Sequence, residues 1–222
     1  MTKSKEIIEL SRLNDTKMLD LADIRKSNDS QIWTVGCSIS HGIGVKDHER
    51  YGELIAKELG LSVSFLTAPG SSIRWASDQI LRSDIRPNDV IFWGITSGHR
   101  FSCWYDVDRE IVHTVLKQFD DHRFLKTLIN KQYLASDHMI YESIISIHNV
   151  LNFCNKNNIT LVLSTLIPGM EIYLQDINNF VSLAGDRHID RGTDSSHPGP
   201  KSHQFYKEKM LELYYQINGS KK

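Results

Sequence analysis

The chain has 222 residues, 40% of them hydrophobic and 24% charged, proportions of an ordinary folded domain that exclude a disordered or fibrous chain. Twenty-six Lys and Arg against 27 Asp and Glu leave a formal net charge of -1, so no global basic field exists to recruit nucleic acid or anionic lipid. Three cysteines, Cys37, Cys103 and Cys154, are odd in number and widely spaced, which excludes a disulfide framework or zinc knuckle and points to a reducing compartment, the cytoplasm.

Residues 1–30 are expected to form a helical N-terminal arm. Charges interrupt M-T-K-S-K-E-I-I-E-L-S-R-L-N-D where a signal peptide needs an unbroken apolar core, and no later segment approaches the ~18 apolar residues of a membrane span. Residues 31–222 are expected to make one domain. Q-I-W-T-V-G-C (31–37) reads as a buried strand, and H-E-R-Y-G-E-L-I-A-K-E-L-G (48–60) as a helix stopped by Gly60. The alternation repeats with a strand over 61–67, a Pro-Gly-Ser-Ser turn, a helix over 73–83, a turn at 87–89 and the strand V-I-F-W-G-I over 90–95. Three such alternations predict an α/β fold with a mainly parallel sheet.

Residues 97–135 are irregular and aromatic, carrying Phe101, Trp104, Tyr105, Phe119, Phe124 and Tyr133, and read as an insertion above the sheet. A helical stripe of Ile140, Ile144, Ile147, Leu151 and Cys154 follows, then a fourth strand over 159–167. A polar segment, R-H-I-D-R-G-T-D-S-S-H-P-G-P-K-S-H, leads into a closing helix with the stripe Tyr206, Met210, Leu213 and Ile217.

Ligands of open parallel sheets bind beyond the carboxyl ends of the strands. Four segments are expected on that rim: G-C-S (36–38), A-P-G-S-S (68–72), G-I-T-S (94–97) and D-S-S-H-P-G (194–199). A serine hydroxyl becomes a nucleophile when a base takes its proton and a third group orients that base. Ser38, His197 and Asp194 supply these residue types, and the Asp-x-x-His spacing can set a carboxylate beside imidazole Nδ1 while Nε2 faces the serine. The backbone N–H groups of Ser38 and Gly70 are candidate oxyanion donors.

These four segments, in this order, resemble the SGNH/GDSL hydrolase superfamily over about residues 31–217. The resemblance implies a flavodoxin-like α/β/α sandwich and ester or acyl hydrolysis without a cofactor. It matches Ser38 to the nucleophile, Gly70 to the oxyanion glycine, and Asp194 with His197 to the dyad. Two positions depart from it: Cys37 stands where the family carries Asp, and Thr96 where it carries an oxyanion Asn, with Ser97 a nearby substitute donor.

Ser40, Ser71 and Ser72 read as turn formers or helix caps, His41 as a loop residue with a donor role as its alternative, and Cys37 as a buried thiol rather than the nucleophile. Asp186, His188, Asp190, Asp194, His197 and His203 are metal-ligand types, but no metal-ligand spacing accompanies them, and no metal is expected. No phosphate-binding glycine motif appears. The expected substrate is a small acyl group esterified to a sugar or other polar carrier, with Ser97, Trp104 and Tyr105 as substrate contacts. A non-catalytic binding protein for a carbohydrate or protein, and an acyltransferase, are the alternatives.

Overall fold

The computed structural model describes residues 30–98, 100–104, 111–114, 138–184 and 189–219. Strand β1 (Gln31–Gly36) runs into a one-turn helix α1 (Ser38–His41), and after a 3-10 turn (Asp47–Glu49) come α2 (Tyr51–Leu59), β2 (Ser62–Thr67), α3 (Ile73–Arg82) and β3 (Val90–Ile95). A two-stranded antiparallel ribbon follows, β4 (Phe101–Trp104) with β5 (Ile111–Thr114). The chain continues through α4 (His138–Lys156), β6 (Thr160–Thr165), a short α5 (Glu171–Leu174), β7 (Phe180–Ser182) and α6 (Pro200–Ile217).

The five strands of the central sheet are all parallel, in the order β2-β1-β3-β6-β7. Their side chains alternate between two cores. Ile91, Trp93 and Ile95 of β3 and Leu161 and Leu163 of β6 join α3 and α4, whereas Phe92 and Val162 join α2 and α6. The unbroken apolar run of β3 is therefore explained by burial on both faces. The result is a three-layer α/β/α sandwich with flavodoxin-like strand order.

Several boundaries differ from the sequence expectation. The helix expected over 48–60 begins at Tyr51, because Arg50 is extended (φ -64°, ψ 139°) and Glu49 closes the preceding 3-10 turn by accepting the Lys46 N–H. The strand expected over 159–167 stops at Thr165, three residues before Pro168. Strand β7 and helix α5 were not anticipated. Ile217, placed on the buried stripe of the last helix, is exposed, whereas Tyr206, Met210 and Leu213 are buried. The expected arm, Tyr105 and most of the aromatic insertion lie outside the described residues. No described helix is long and apolar enough to cross a membrane.

Strand order reverses direction between β1 and β3, and their carboxyl ends lie side by side, with Gly36, the last residue of β1, opposite both Gly94 of β3 and Thr67 of β2. The first three unusual turns thus leave the sheet at neighbouring points, where a parallel sheet binds ligands.

Candidate active site

Helix α1 starts at Ser38, directly after Cys37, and Gly42 ends it in the left-handed conformation (φ 85°) with its N–H on the Ser38 carbonyl at 3.1 Å. A side chain inside this turn anchors it. Ser40 is fully buried, and its hydroxyl accepts the Tyr51 O–H at 2.8 Å. A Cβ at Gly36 would overlap Ser40 Oγ and lie 2.7 Å from the Gly94 carbonyl, and one at Gly94 would lie 2.7 Å from Ser40 Oγ. The two glycines at adjacent strand ends therefore make room for the residue that seats the Ser38 turn. Burial pushes the Tyr51 phenol far above its ordinary range, so it stays a hydrogen-bond donor.

The second turn, Ala68-Pro69-Gly70-Ser71, has Pro at its second position, Gly70 at φ 78° in its third, and a 3.1 Å bond from the Ser71 N–H to the Ala68 carbonyl, the pattern of a type II β-turn. Gly70 N–H lies outside that bond. The Ala68 N–H and Ser71 hydroxyl both donate to the Gly36 carbonyl at 3.2 Å. Ser72 caps α3, accepting the Trp75 N–H at 3.1 Å, which is the capping role expected for it. After β3, Thr96 is 3% exposed, and its buried hydroxyl has no hydrogen-bond partner among the described residues. Leaving such a hydroxyl unpaired costs about 1–3 kcal/mol.

Asp194 and His197 are hydrogen-bonded to each other, the contact that their spacing suggests. His197 Nδ1 lies 2.5 Å from Asp194 Oδ2, which also accepts the Ser196 hydroxyl at 2.7 Å. Oδ1 accepts the N–H groups of Ser196 and His197 at 3.2 and 3.1 Å. The His197 bond, then the Ser196 hydroxyl and the backbone donors, hold the Asp194 carboxyl far below the usual carboxylate range. Its charge is thus fixed beside Nδ1. Ser196 is a partner of Asp194 that sequence reasoning missed, although D-S-S-H contains it; an adjacent serine carries no spacing signal of its own.

Asp190 pins this loop to α6. It accepts the N–H groups of Lys201 and Ser202 at 3.0 and 2.8 Å, at the start of a helix whose first residue is Pro200. Burial raises its carboxyl pKa, but the Lys201 and Ser202 bonds outweigh this and hold it below normal. The loop closes on itself through Gly192 N–H to the His197 carbonyl, 2.9 Å, and Gly199 N–H to the Asp190 carbonyl, 3.1 Å.

The dyad loop lies against the Ser38 loop. Thr193 N–H and hydroxyl donate to the Gly44 carbonyl at 2.8 and 3.2 Å, while Ile43 N–H donates to the Ser38 carbonyl at 3.1 Å. Ser38 is 9% exposed, and among the described residues its hydroxyl and His197 Nε2 make no hydrogen bond, with each other or elsewhere.

The remaining candidates are dispersed. His41 Nδ1 lies 3.0 Å from Thr67 Oγ1, joining α1 to the end of β2. Cys37 is buried. Ser97 follows Thr96 and accepts the Arg100 N–H at 3.2 Å, while Trp104 closes β4. The carboxylate and imidazole run does not converge: Asp190 caps α6 and His203 is buried against Tyr51, at 5.9 Å between ring centroids. Among the described residues no group of three His, Cys, Asp or Glu could hold a metal ion; Asp186 and His188 lie outside them.

No family model and no curated protein sequence matches the chain. Solved structures do. An acetyl xylan esterase (Est2A) from the rumen bacterium Butyrivibrio proteoclasticus superposes with a TM-score of 0.53 at 14% identity, over 88% of this chain and 65% of that one. A carbohydrate esterase family 2 enzyme with a carbohydrate-binding domain, from Corynascus thermopiles (Myceliophthora fergusii), gives 0.50 at 12% identity over 88% and 68%. The psychrotrophic esterase EstA from Pseudoalteromonas sp. gives 0.50 at 9% identity over 86% and 100%. This chain thus spans a little under two thirds of the length of the first of these. The chain shares the three-layer α/β/α fold of these solved esterases.

Proposed function

We propose that this protein is a serine hydrolase that cleaves acyl esters through Ser38, His197 and Asp194. The observation that carries the reading is the Asp194–His197 dyad, held by a loop that hydrogen-bonds to the Ser38 loop at the β1/β3 rim. Ser38 Oγ attacks the acyl carbonyl carbon and passes its proton to His197 Nε2, while Asp194 holds Nδ1–H and the imidazolium charge. The tetrahedral oxyanion is met by the N–H groups of Ser38 and Gly70 and by the Thr96 hydroxyl. Collapse expels the alcohol, which takes the proton from Nε2. Water then attacks the acyl-Ser38 ester by the same proton relay, releasing the acid and restoring the serine.

The unpartnered hydroxyl of Thr96 supports its donor role, since a buried donor without a partner is an expense that an oxyanion would offset. A small acyl group on a sugar is the preferred substrate, because carbohydrate esterases are among the structural neighbours. The buried free thiols Cys37 and Cys154 fit a reducing, cytoplasmic setting. Ester cleavage is tested by following p-nitrophenyl acetate and acetylated xylo-oligosaccharides with wild type, Ser38→Ala and His197→Ala. Turnover by wild type and its loss in both variants is expected; equal rates in all three would refute the assignment.

One observation favours a second reading, a binding protein that has kept the fold: among the described residues the Ser38 hydroxyl and His197 Nε2 make no hydrogen bond with each other. Tight binding of an acylated glycan without turnover would establish it.

A further inference from the structure

Ser71 stands between the two loops that carry the oxyanion N–H groups, and it is fully buried. Its three polar groups are all engaged: the hydroxyl on the Gly36 carbonyl at 3.2 Å, the N–H on the Ala68 carbonyl at 3.1 Å, and the carbonyl under Arg100 Nη1 at 3.4 Å. Gly36 lies two residues before Ser38, and Gly70 immediately precedes Ser71. The hydroxyl therefore ties the strand end that launches the nucleophile to the turn that presents the second donor.

Local structure does not require that bond. Helix α3 is capped by Ser72, and the Gly36 carbonyl already accepts the Ala68 N–H at 3.2 Å, so neither a helix end nor a buried acceptor depends on Ser71. What the bond adds is a second fixed point on the turn. One bond at Ala68 leaves the turn free to pivot about that end; two bonds, three residues apart, set its tilt and hence the direction of the Gly70 N–H.

We propose that Ser71 is a positioning residue whose buried hydroxyl clamps the 68–71 turn to strand β1 and thereby fixes the Gly70 N–H relative to the Ser38 N–H. This rests on the reading of Ser38 and Gly70 as oxyanion donors. Such donors act on charge that develops only in the transition state, so loosening the clamp lowers kcat and leaves ground-state binding largely intact.

The test compares wild type, Ser71→Ala and Ser77→Ala on p-nitrophenyl acetate. Ser77 is the control: it is 3% exposed and its hydroxyl donates to the Ser146 carbonyl at 3.2 Å, so its loss removes a comparable buried bond between α3 and α4, away from the rim. Ser71→Ala is expected to lower kcat about tenfold or more with KM within about twofold, since sub-ångström misplacement of catalytic groups is expensive. Ser77→Ala is expected to keep both constants within about twofold of wild type. Equal kcat for the two variants, with wild type active, overturns the positioning role alone. A wild type that neither turns over the ester nor reacts at Ser38 overturns the hydrolase reading and this inference with it.

Discussion

Gly44 leaves no room for a side chain beside Asp194: a Cβ on Gly44 would lie 2.8 Å from Asp194 Oδ1, and Gly44 holds φ at 90°. The loop that follows the Ser38 turn therefore serves as the floor under the dyad carboxylate. Only a residue without a side chain gives both the left-handed backbone and the close approach.

Gly44→Ala should accordingly lose activity out of proportion to stability. The strained φ costs about 1–2 kcal/mol, whereas displacement of Oδ1 disturbs the acceptor of two N–H groups that hold the dyad loop. Thermal unfolding and ester turnover measured on one preparation check this. A variant with a lowered Tm but wild-type kcat would show that the contact is packing only.

Thr96→Val should separate function from stability with opposite signs. The substitution keeps shape and removes a buried hydroxyl that has no partner among the described residues, so stability should hold or rise by up to about 1 kcal/mol. Loss of an oxyanion donor should lower kcat by on the order of 10²–10³. Urea unfolding and steady-state kinetics read the two effects, and an undiminished kcat would remove Thr96 from the site.

His203 should make stability depend on pH. Its ring is fully buried, with Nδ1 accepting the Tyr51 N–H at 3.2 Å and Nε2 without a partner among the described residues. Burial pushes its pKa down from 6.5 to about 4; Asp190 and Glu49 oppose this, and Arg50 reinforces it. Between those values the unfolded chain binds a proton that the native one does not. Stability therefore rises with pH across this window and is lost as pH falls below about 6.5, at up to about 1.4 kcal/mol per pH unit. His203→Asn, which retains an acceptor and does not titrate, should flatten the dependence measured by urea unfolding between pH 4 and 7. Parallel profiles for the two proteins would assign the acid loss to other groups.

The sheet was legible in the sequence because its central strands are apolar on both faces, as in V-I-F-W-G-I, and because each rim turn carries Gly, Pro or Ser punctuation. Edge and boundary features were not. Strand β7 is three residues long on the outside of the sheet and leaves no periodic signal. The 3-10 turn before α2 shares its polar residues with a helix start. The Asp194–His197 hydrogen bond was legible because its partners are three residues apart; the contacts of Ser40, Ser71 and Gly44 were not, since each joins segments far apart in sequence. Spacing encodes local contacts, whereas the Gly36–Ser40–Gly94 packing arises only once β1 and β3 are paired.

The most direct measurement is intact-protein mass spectrometry after incubation with a fluorophosphonate, which phosphonylates a serine only where a base and an oxyanion hole activate it. One adduct on wild type, absent from Ser38→Ala and formed much more slowly on His197→Ala, is the expected result. No adduct on wild type, or an adduct that persists in Ser38→Ala, would contradict Ser38 as an activated nucleophile.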